Sequence, residues 1–192
     1  MMRNTMWNKR RVLLGLLAAT GAGLGPVVKA DAAQLIDDFS DGPNPGWSYV
    51  SDQVMGGVST GGVDVLREGG QLFARLEGTV STANNGGFIQ MRRRLDAPIP
   101  QGANGLALRL RGNGARYYVH LRPRRTLRPW HYFAAGFDTS GAWQDIQLPW
   151  SSFTAQGGLR ATFDPARITS LGVVAFGADY QARLDVARIE VI

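Results

Sequence analysis

Cysteine is absent from the 192 residues, which excludes disulfides, thiolate zinc sites and cysteine nucleophiles. Histidine occurs only as His120 and His131, too few for a multi-histidine metal centre. No Gly-x-Ser-x-Gly elbow surrounds Ser48, Ser51 or Ser59, so a serine hydrolase would lack its nucleophile turn. The neighbouring acids Asp37 and Asp38 open a strand, where alternation sends them to opposite faces; they make a poor glycosidase pair, and capping or neutralising an arginine suits them better. Asp41, Asp52, Asp64 and Glu68 are read as loop acids, but no Asp-x-Asp-x-Asp-Gly spacing marks a calcium loop. Nothing here calls for a metal, a cofactor or a catalytic activity. Charged residues are also scarce, 19% against 44% hydrophobic, which excludes a coiled coil and gives the chain enough apolar surface to fold around a core.

Lysine is confined to Lys9 and Lys29, so every later basic side chain is arginine. Residues 1–32 carry +4 of the formal +6, leaving only +2 for the rest. Global charge is therefore no argument for nucleic-acid binding. Lys9-Arg10-Arg11 precedes the uncharged run Val12–Val28, and Ala30-Asp31-Ala32 offers small residues at the offsets of a signal-peptidase site. The run is broken by Gly21, Gly23, Gly25 and Pro26, a poor spanning helix. The sequence thus predicts a cleaved signal peptide over 1–32, of general or twin-arginine type, and a mature chain from Ala33 in the periplasm or outside the cell.

Residues 33–192 read as a single all-β domain. Short alternating runs recur between turn signals: Leu35–Phe39, Trp47–Ser51, Gln71–Glu77, Gly87–Arg93, Gly105–Arg111, Arg116–Arg122, His131–Phe137, Trp143–Leu148, Leu171–Phe176 and Leu184–Ile192. No stretch keeps a helical apolar period for three turns. Asn113-Gly114 predicts a type I′ hairpin turn. Closing on it would put Leu106, Leu108, Leu110, Tyr117, Val119 and Leu121 on one apolar face. Arg109, Arg111, Arg116, Tyr118 and His120 would then share the other, where facing arginines need either nearby acids or an anionic partner.

Two Gly-Gly segments, Met55-Gly56-Gly57 and Asn85-Gly86-Gly87, set flexible amides beside large apolar side chains. Such amides can converge on an anion or a sugar hydroxyl, or serve turns that need positive φ. Trp47 is either a stacking platform or a core residue. Arg92-Arg93-Arg94 and the stiff segment Arg122-Pro123-Arg124-Arg125-Thr126-Leu127-Arg128 are further candidates for docking phosphate or carboxylate groups. The candidate binding residues are therefore Trp47, Asp52, Met55, Gly56, Gly57, Asn85, Arg109, Arg111, Arg116, Tyr118 and His120.

Several segments in order, Trp47–Ser59, Gly78–Ser81, Asn85–Phe88, Leu108–Tyr117, Trp143–Phe153, Leu171–Val174 and Leu184–Val191, resemble the complex I intermediate-associated protein 30 family. Trp47–Ser59 is the most specific of them. The resemblance implies a galactose-binding-like jelly-roll β-sandwich and a non-catalytic role, since mitochondrial members act as assembly factors that bind subunits. Where the family usually has Gly-Asp-Gly, this chain has Gly112-Asn113-Gly114. The leader would put this chain on the side of the membrane opposite to that assembly role. The expectation is thus an exported binding module docking on a protein or envelope component, anionic if the arginines are used. The alternative is a carbohydrate-binding module using Trp47 and its neighbouring loops, with a hydrolytic enzyme a distant third. Nucleic acid is not an expected partner, and membrane contact is expected only as transient or peripheral.

Overall fold

Twelve strands form two antiparallel sheets in the computed structural model, which describes residues 33–42, 46–126 and 128–192. In chain order they are β1 (Gln34–Asp37), β2 (Trp47–Ser51), β3 (Thr60–Glu68), β4 (Gln71–Val80), β5 (Phe88–Arg94), β6 (Gly105–Gly112), β7 (Arg116–Pro123), β8 (Tyr132–Asp138), β9 (Gln144–Pro149), β10 (Thr154–Gln156), β11 (Ile168–Phe176) and β12 (Tyr180–Val191). The first sheet runs β3-β4-β12-β6-β9 with β1 added on β12; the second runs β10-β8-β7-β11-β5-β2. Helical geometry among the described residues is limited to one-turn 3-10 segments. The signal-peptide reading falls outside the described residues.

Alternation along each strand decides what lies between the sheets. Leu106, Leu108 and Leu110 of β6, with Leu76, Leu184, Val186 and Ile189, meet Tyr117, Val119 and Leu121 of β7, with Ile89, Met91, Leu171 and Val173, in one buried cluster. The expected apolar face is real, but the expected hairpin is not. β6 pairs with β12 and β9, while β7 pairs with β8 and β11. The leucines of β6 and the aromatic and aliphatic side chains of β7 therefore belong to opposite walls of the sandwich. Alternation shows which side of a strand faces inward; it does not show whether two inward faces lie side by side or across a core.

The residues between β6 and β7 show why the chain crosses. Only Gly114 has a positive φ, 87°, whereas a type I′ turn needs two such residues. Asn113 instead spends its amide on distant anchors. Its Nδ2 donates to the Gln181 carbonyl at 2.6 Å, and its Oδ1 accepts from the Tyr117 hydroxyl at 2.8 Å. Gly112 sits against Thr139, where a Cβ would meet Oγ1 at 2.5 Å. The segment is a corner fastened to β12.

Two strands escape the sequence reading, β3 and the three-residue β10. β3 opens Thr60-Gly61-Gly62, a sequence that reads as a turn, and carries Asp64 and Glu68, which are strand and not loop residues. Its glycines serve pairing: Gly61 lies directly opposite Gly78 of β4. A Cβ on Gly78 would run into the Thr60 carbonyl and the Gly61 Cα, whereas a Cβ on Gly62 meets nothing within 4 Å. Gly78→Ala should therefore lower stability by about 1–3 kcal/mol, because backbone must move apart to admit the methyl, while Gly62→Ala stays within about 0.5 kcal/mol of the parent. Urea midpoints of the two variants test this; equal midpoints would refute the close strand approach.

Candidate functional site: an aromatic trough on the second sheet

The residues singled out in Trp47–Ser59 and Asn85–Phe88 converge, but on a carboxylate of the chain itself. Asp52, 0% exposed, accepts four hydrogen bonds: from Ser59 N at 2.9 Å, Ser59 Oγ at 2.5 Å, Gly87 N at 2.6 Å and Phe88 N at 3.2 Å. Burial alone would raise its pKa; these donors outweigh burial and leave it below the usual aspartate value. A side chain on Gly57 or Gly86 would collide with the Asp52 carboxyl group. Both glycines are needed so that backbone can close on the acid. Gly56 follows with φ 93° and Asn85 with φ 56°. Only the second glycine pair thus turns amides onto an anion, one already supplied by the fold; Gly56 N and Gly57 N donate to the Gln53 and Asp52 carbonyls, so the first pair serves a turn. Ser59 donates its hydroxyl hydrogen to a carboxylate held below the usual aspartate value, a weak base.

Trp47 lies on the inner side of β2. Its ring packs 6.0 Å from Phe39 and its Nε1 donates to Asp37 at 2.8 Å. The same carboxylate accepts from Arg93 at 2.5 Å, so Asp37 does neutralise an arginine. Met55, with Val54 and Val58, is exposed at the tip of the Asp52–Ser59 loop.

Because β6 and β7 lie in different sheets, the five residues expected on one face are split between two. Arg109 and Arg111 point outward from the first sheet. Arg109 pairs with Asp145 at 2.8 Å. Arg111 bonds Asp185 at 2.8 Å and also Glu68, and its guanidinium stacks 4.6 Å over the Trp143 ring. Asp185 is shared with Arg75 at 2.6 Å. Its burial raises the pKa, and hydrogen bonds from Arg75 and Arg111 more than reverse that. This outer face is closed by its own charge pairs.

Arg116, Tyr118 and His120 point outward from the second sheet. Arg116 pairs with Asp138 at its edge, at 2.8 Å. Tyr118 and His120 sit in an aromatic cluster that the sequence reading assembled only in part. Tyr132 of β8 stacks on His120 with centroids 3.9 Å apart. Phe176 of β11 meets Tyr118 and His120 edge-on, both at 6.0 Å. Arg122 lies 5.2 Å over Tyr132. Between these rings the floor is polar and small. Gln90 of β5 lies over Gly172 of β11, whose Cβ would meet Gln90 Oε1 at 2.9 Å. Gln90 is 3% exposed, and its Oε1 has no hydrogen-bond partner. His120 faces Ala134 and Gly172 across the two neighbouring pairings, and Tyr118 faces Gly136. Large rings beside glycine and alanine make a trough with Gln90 and His120 recessed in it.

Gln90, Tyr132 and Phe176 were missed because they stand on four different strands together with Tyr118 and His120. The available signal was parity: once one residue of each strand is known to face inward, its neighbours face the trough.

Burial pushes the His120 imidazole down to about 3, and the Arg122 charge pushes the same way. The folded chain thus holds a neutral ring, whereas the unfolded chain binds a proton below about 6.5. Stability from this group is present above that value and lost as pH falls from it toward 3. Between pH 7 and pH 5 the loss should be about 2 kcal/mol, a window above the range where Asp52 and Asp185 begin to protonate. Urea unfolding of the parent and of His120→Phe at both values checks this. Equal losses in the two chains would show that His120 is not the titrating group.

The model of the complex I intermediate-associated protein 30 family matches residues 38–186. Among solved structures, a family 11 carbohydrate-binding module from Clostridium thermocellum, in complex with a beta-1,3-1,4-mixed-linked tetrasaccharide, is 15% identical with TM-score 0.67, covering 83% of this chain and 95% of that one. A family 30 carbohydrate-binding module of a cellulosomal cellulase from the same organism is 14% identical with TM-score 0.52, covering 70% and 89%. An exo-beta-agarase aligns over 83% of this chain but 25% of its own, at 10% identity and TM-score 0.55. Comparison with curated protein sequences gives no match. At such identities the structural likeness concerns the sandwich fold, while the family match spans both crossovers around Asp52 and most of both sheets: the chain belongs to the complex I intermediate-associated protein 30 family.

Proposed function

We propose that this protein is a non-catalytic binding module whose trough on the second sheet takes an uncharged, ring-shaped polar ligand, a saccharide chain. The observation that carries this reading is the Gln90 oxygen, buried and without a partner, recessed beside a neutral imidazole and flanked by Tyr118 and Phe176. An unpaired buried acceptor costs free energy of about 1–3 kcal/mol, which a ligand hydroxyl would recover. Aromatic edges and faces around such a floor suit the apolar faces of sugar rings, which stack while their hydroxyls bond below. A sandwich of the same fold holds a mixed-linked tetrasaccharide, which supports the ligand class without assigning the linkage. The Lys9–Ala32 pattern supports export, and outside the cytoplasm such a module would meet the glycans of the envelope.

A second reading rests on a different observation. Val54, Met55 and Val58, 75%, 58% and 47% exposed, project from a loop that Asp52 holds in place, a ready-made apolar contact for a protein partner of the kind an assembly factor binds.

Calorimetric titration of the protein with beta-1,3-1,4-linked glucan oligosaccharides tests the first reading. Binding should be saturable, and Phe176→Ala or Gln90→Ala should weaken it about tenfold, roughly 1.4 kcal/mol. Arg109→Gln, on the opposite sheet, should leave it unchanged. If a broad glycan array gives no binding, while Met55→Asp abolishes capture of a partner crosslinked in intact cells, the protein-docking reading replaces it.

A further inference from the structure

The basic segment after β7 contributes to neither site. Arg122 turns back over Tyr132, but Arg124 and Arg125 go elsewhere. With Arg160 and Arg167, they line a pocket of about 370 Å³ between the β7–β8 turn and the loop from β10 to β11. A volume of that order accommodates a small ligand.

Three features characterise this pocket. First, its charges are not answered. Arg75, Arg93, Arg109, Arg111, Arg116 and Arg188 each hold a carboxylate, yet among the described residues none of the four pocket guanidinium groups makes an ion pair. Against them stands one acid, Asp164, whose Oδ1 already accepts from Ala166 N at 3.0 Å. Second, the two walls are tied together. Arg124 N donates to the Arg167 carbonyl at 2.7 Å, and Pro165 starts a one-turn 3-10 helix that Asp164 caps. The arginines are therefore carried on backbone whose spacing is fixed. Third, Arg125 sits at φ 63°, a left-handed conformation uncommon for a residue with a Cβ.

We infer that this pocket is a binding site for a multiply charged phosphate group, carried either by a soluble phosphoester or by a lipid headgroup. Four guanidinium groups facing one carboxylate leave an excess that a single carboxylate ligand would not balance. A phosphate dianion or a pyrophosphate accepts several forked N–H···O bonds at once, which suits arginine better than any other cation. The site is independent of the trough: it lies at the end of the sandwich, among residues that the saccharide reading does not use.

The experiment is a titration of the protein with inorganic pyrophosphate by calorimetry, in parallel with sedimentation on vesicles containing phosphatidic acid in neutral lipid, each at low and at physiological salt. Saturable binding to at least one probe is expected, weakened by salt as an exposed charge contact should be. Arg124→Gln and Arg160→Gln should each reduce it about tenfold, with urea midpoints unchanged because neither side chain holds a partner in the fold. Pyrophosphate binding alone would identify a soluble ligand; vesicle binding lost in the same variants would identify a headgroup. The inference is overturned if neither probe binds saturably, if both variants bind as the parent does, or if Arg92→Gln, on β5 of the second sheet, weakens binding as much as they do.

Discussion

Asp52 stands where the chain leaves β2 of the second sheet for β3 of the first, and the amides it accepts from, Gly87 and Phe88, stand where β4 of the first sheet gives way to β5 of the second. One carboxylate therefore fastens both crossovers at that end of the sandwich. Taking an ion out of water costs several kcal/mol unless its lone pairs are filled, and here four donors fill them. Ser59 adds the cross-link from the other side: its hydroxyl donates to Asp52 while accepting from Ser81 N at 2.9 Å. Gly57 and Gly86 follow from the acid, since each must lack a side chain for backbone to reach it. The spacing of Asp52, Gly57, Ser59 and Gly86-Gly87 is the spacing of this one contact.

That contact also explains which parts of the architecture can be read from residues alone. Ten strands, and the inward faces of β6 and β7, follow from alternation, because burial on one side of a pleat forces a period of two. β3 does not, since Gly61 and Gly62 resemble a turn until Gly78 is known to lie opposite. The partition into sheets is not legible either. Asn113-Gly114 has the composition of a hairpin turn, and only the distant acceptor on Gln181 and the hydroxyl of Tyr117 draw Asn113 into a corner instead. The second glycine pair was legible as anion-facing backbone, but its anion, Asp52, is thirty-odd residues away in the chain. Local sequence specifies what a group can bond; it leaves open which remote group arrives.

The two outer faces show how differently one composition can be used. On the first sheet, Arg75, Arg109 and Arg111 meet Asp145, Asp185 and Glu68, and Phe73 and Trp143 lie under the guanidinium groups. Arg75, Arg109 and Arg111 there each have an acceptor, so a ligand bonding them would have to displace an existing bond to gain a new one. On the second sheet the rings of Tyr118, His120, Tyr132 and Phe176 pack on one another, and Gln90 beneath them keeps an acceptor unused. Free energy for binding is available where the fold has left a group unsatisfied, which places the trough ahead of the arginine face.

The nature of the floor then limits the ligand. A protonated His120 would bring a second positive charge beside Arg122 in a desolvated setting, and burial together with that arginine keeps the ring neutral. An anionic ligand would reverse this balance: it would favour protonation of His120 and would have to shed its own hydration to reach Gln90, whose free oxygen repels it. A neutral polyhydroxyl chain meets neither obstacle. It can donate to Gln90 Oε1 and lay apolar ring faces against Phe176 and Tyr118 without moving a proton. The same reasoning sends phosphate elsewhere, to the end of the sandwich where Arg124, Arg125, Arg160 and Arg167 remain exposed and unpaired. The two proposed ligands, one neutral and one anionic, would thus be separated by the desolvation each requires, on one small sandwich whose two crossovers a single aspartate holds fixed.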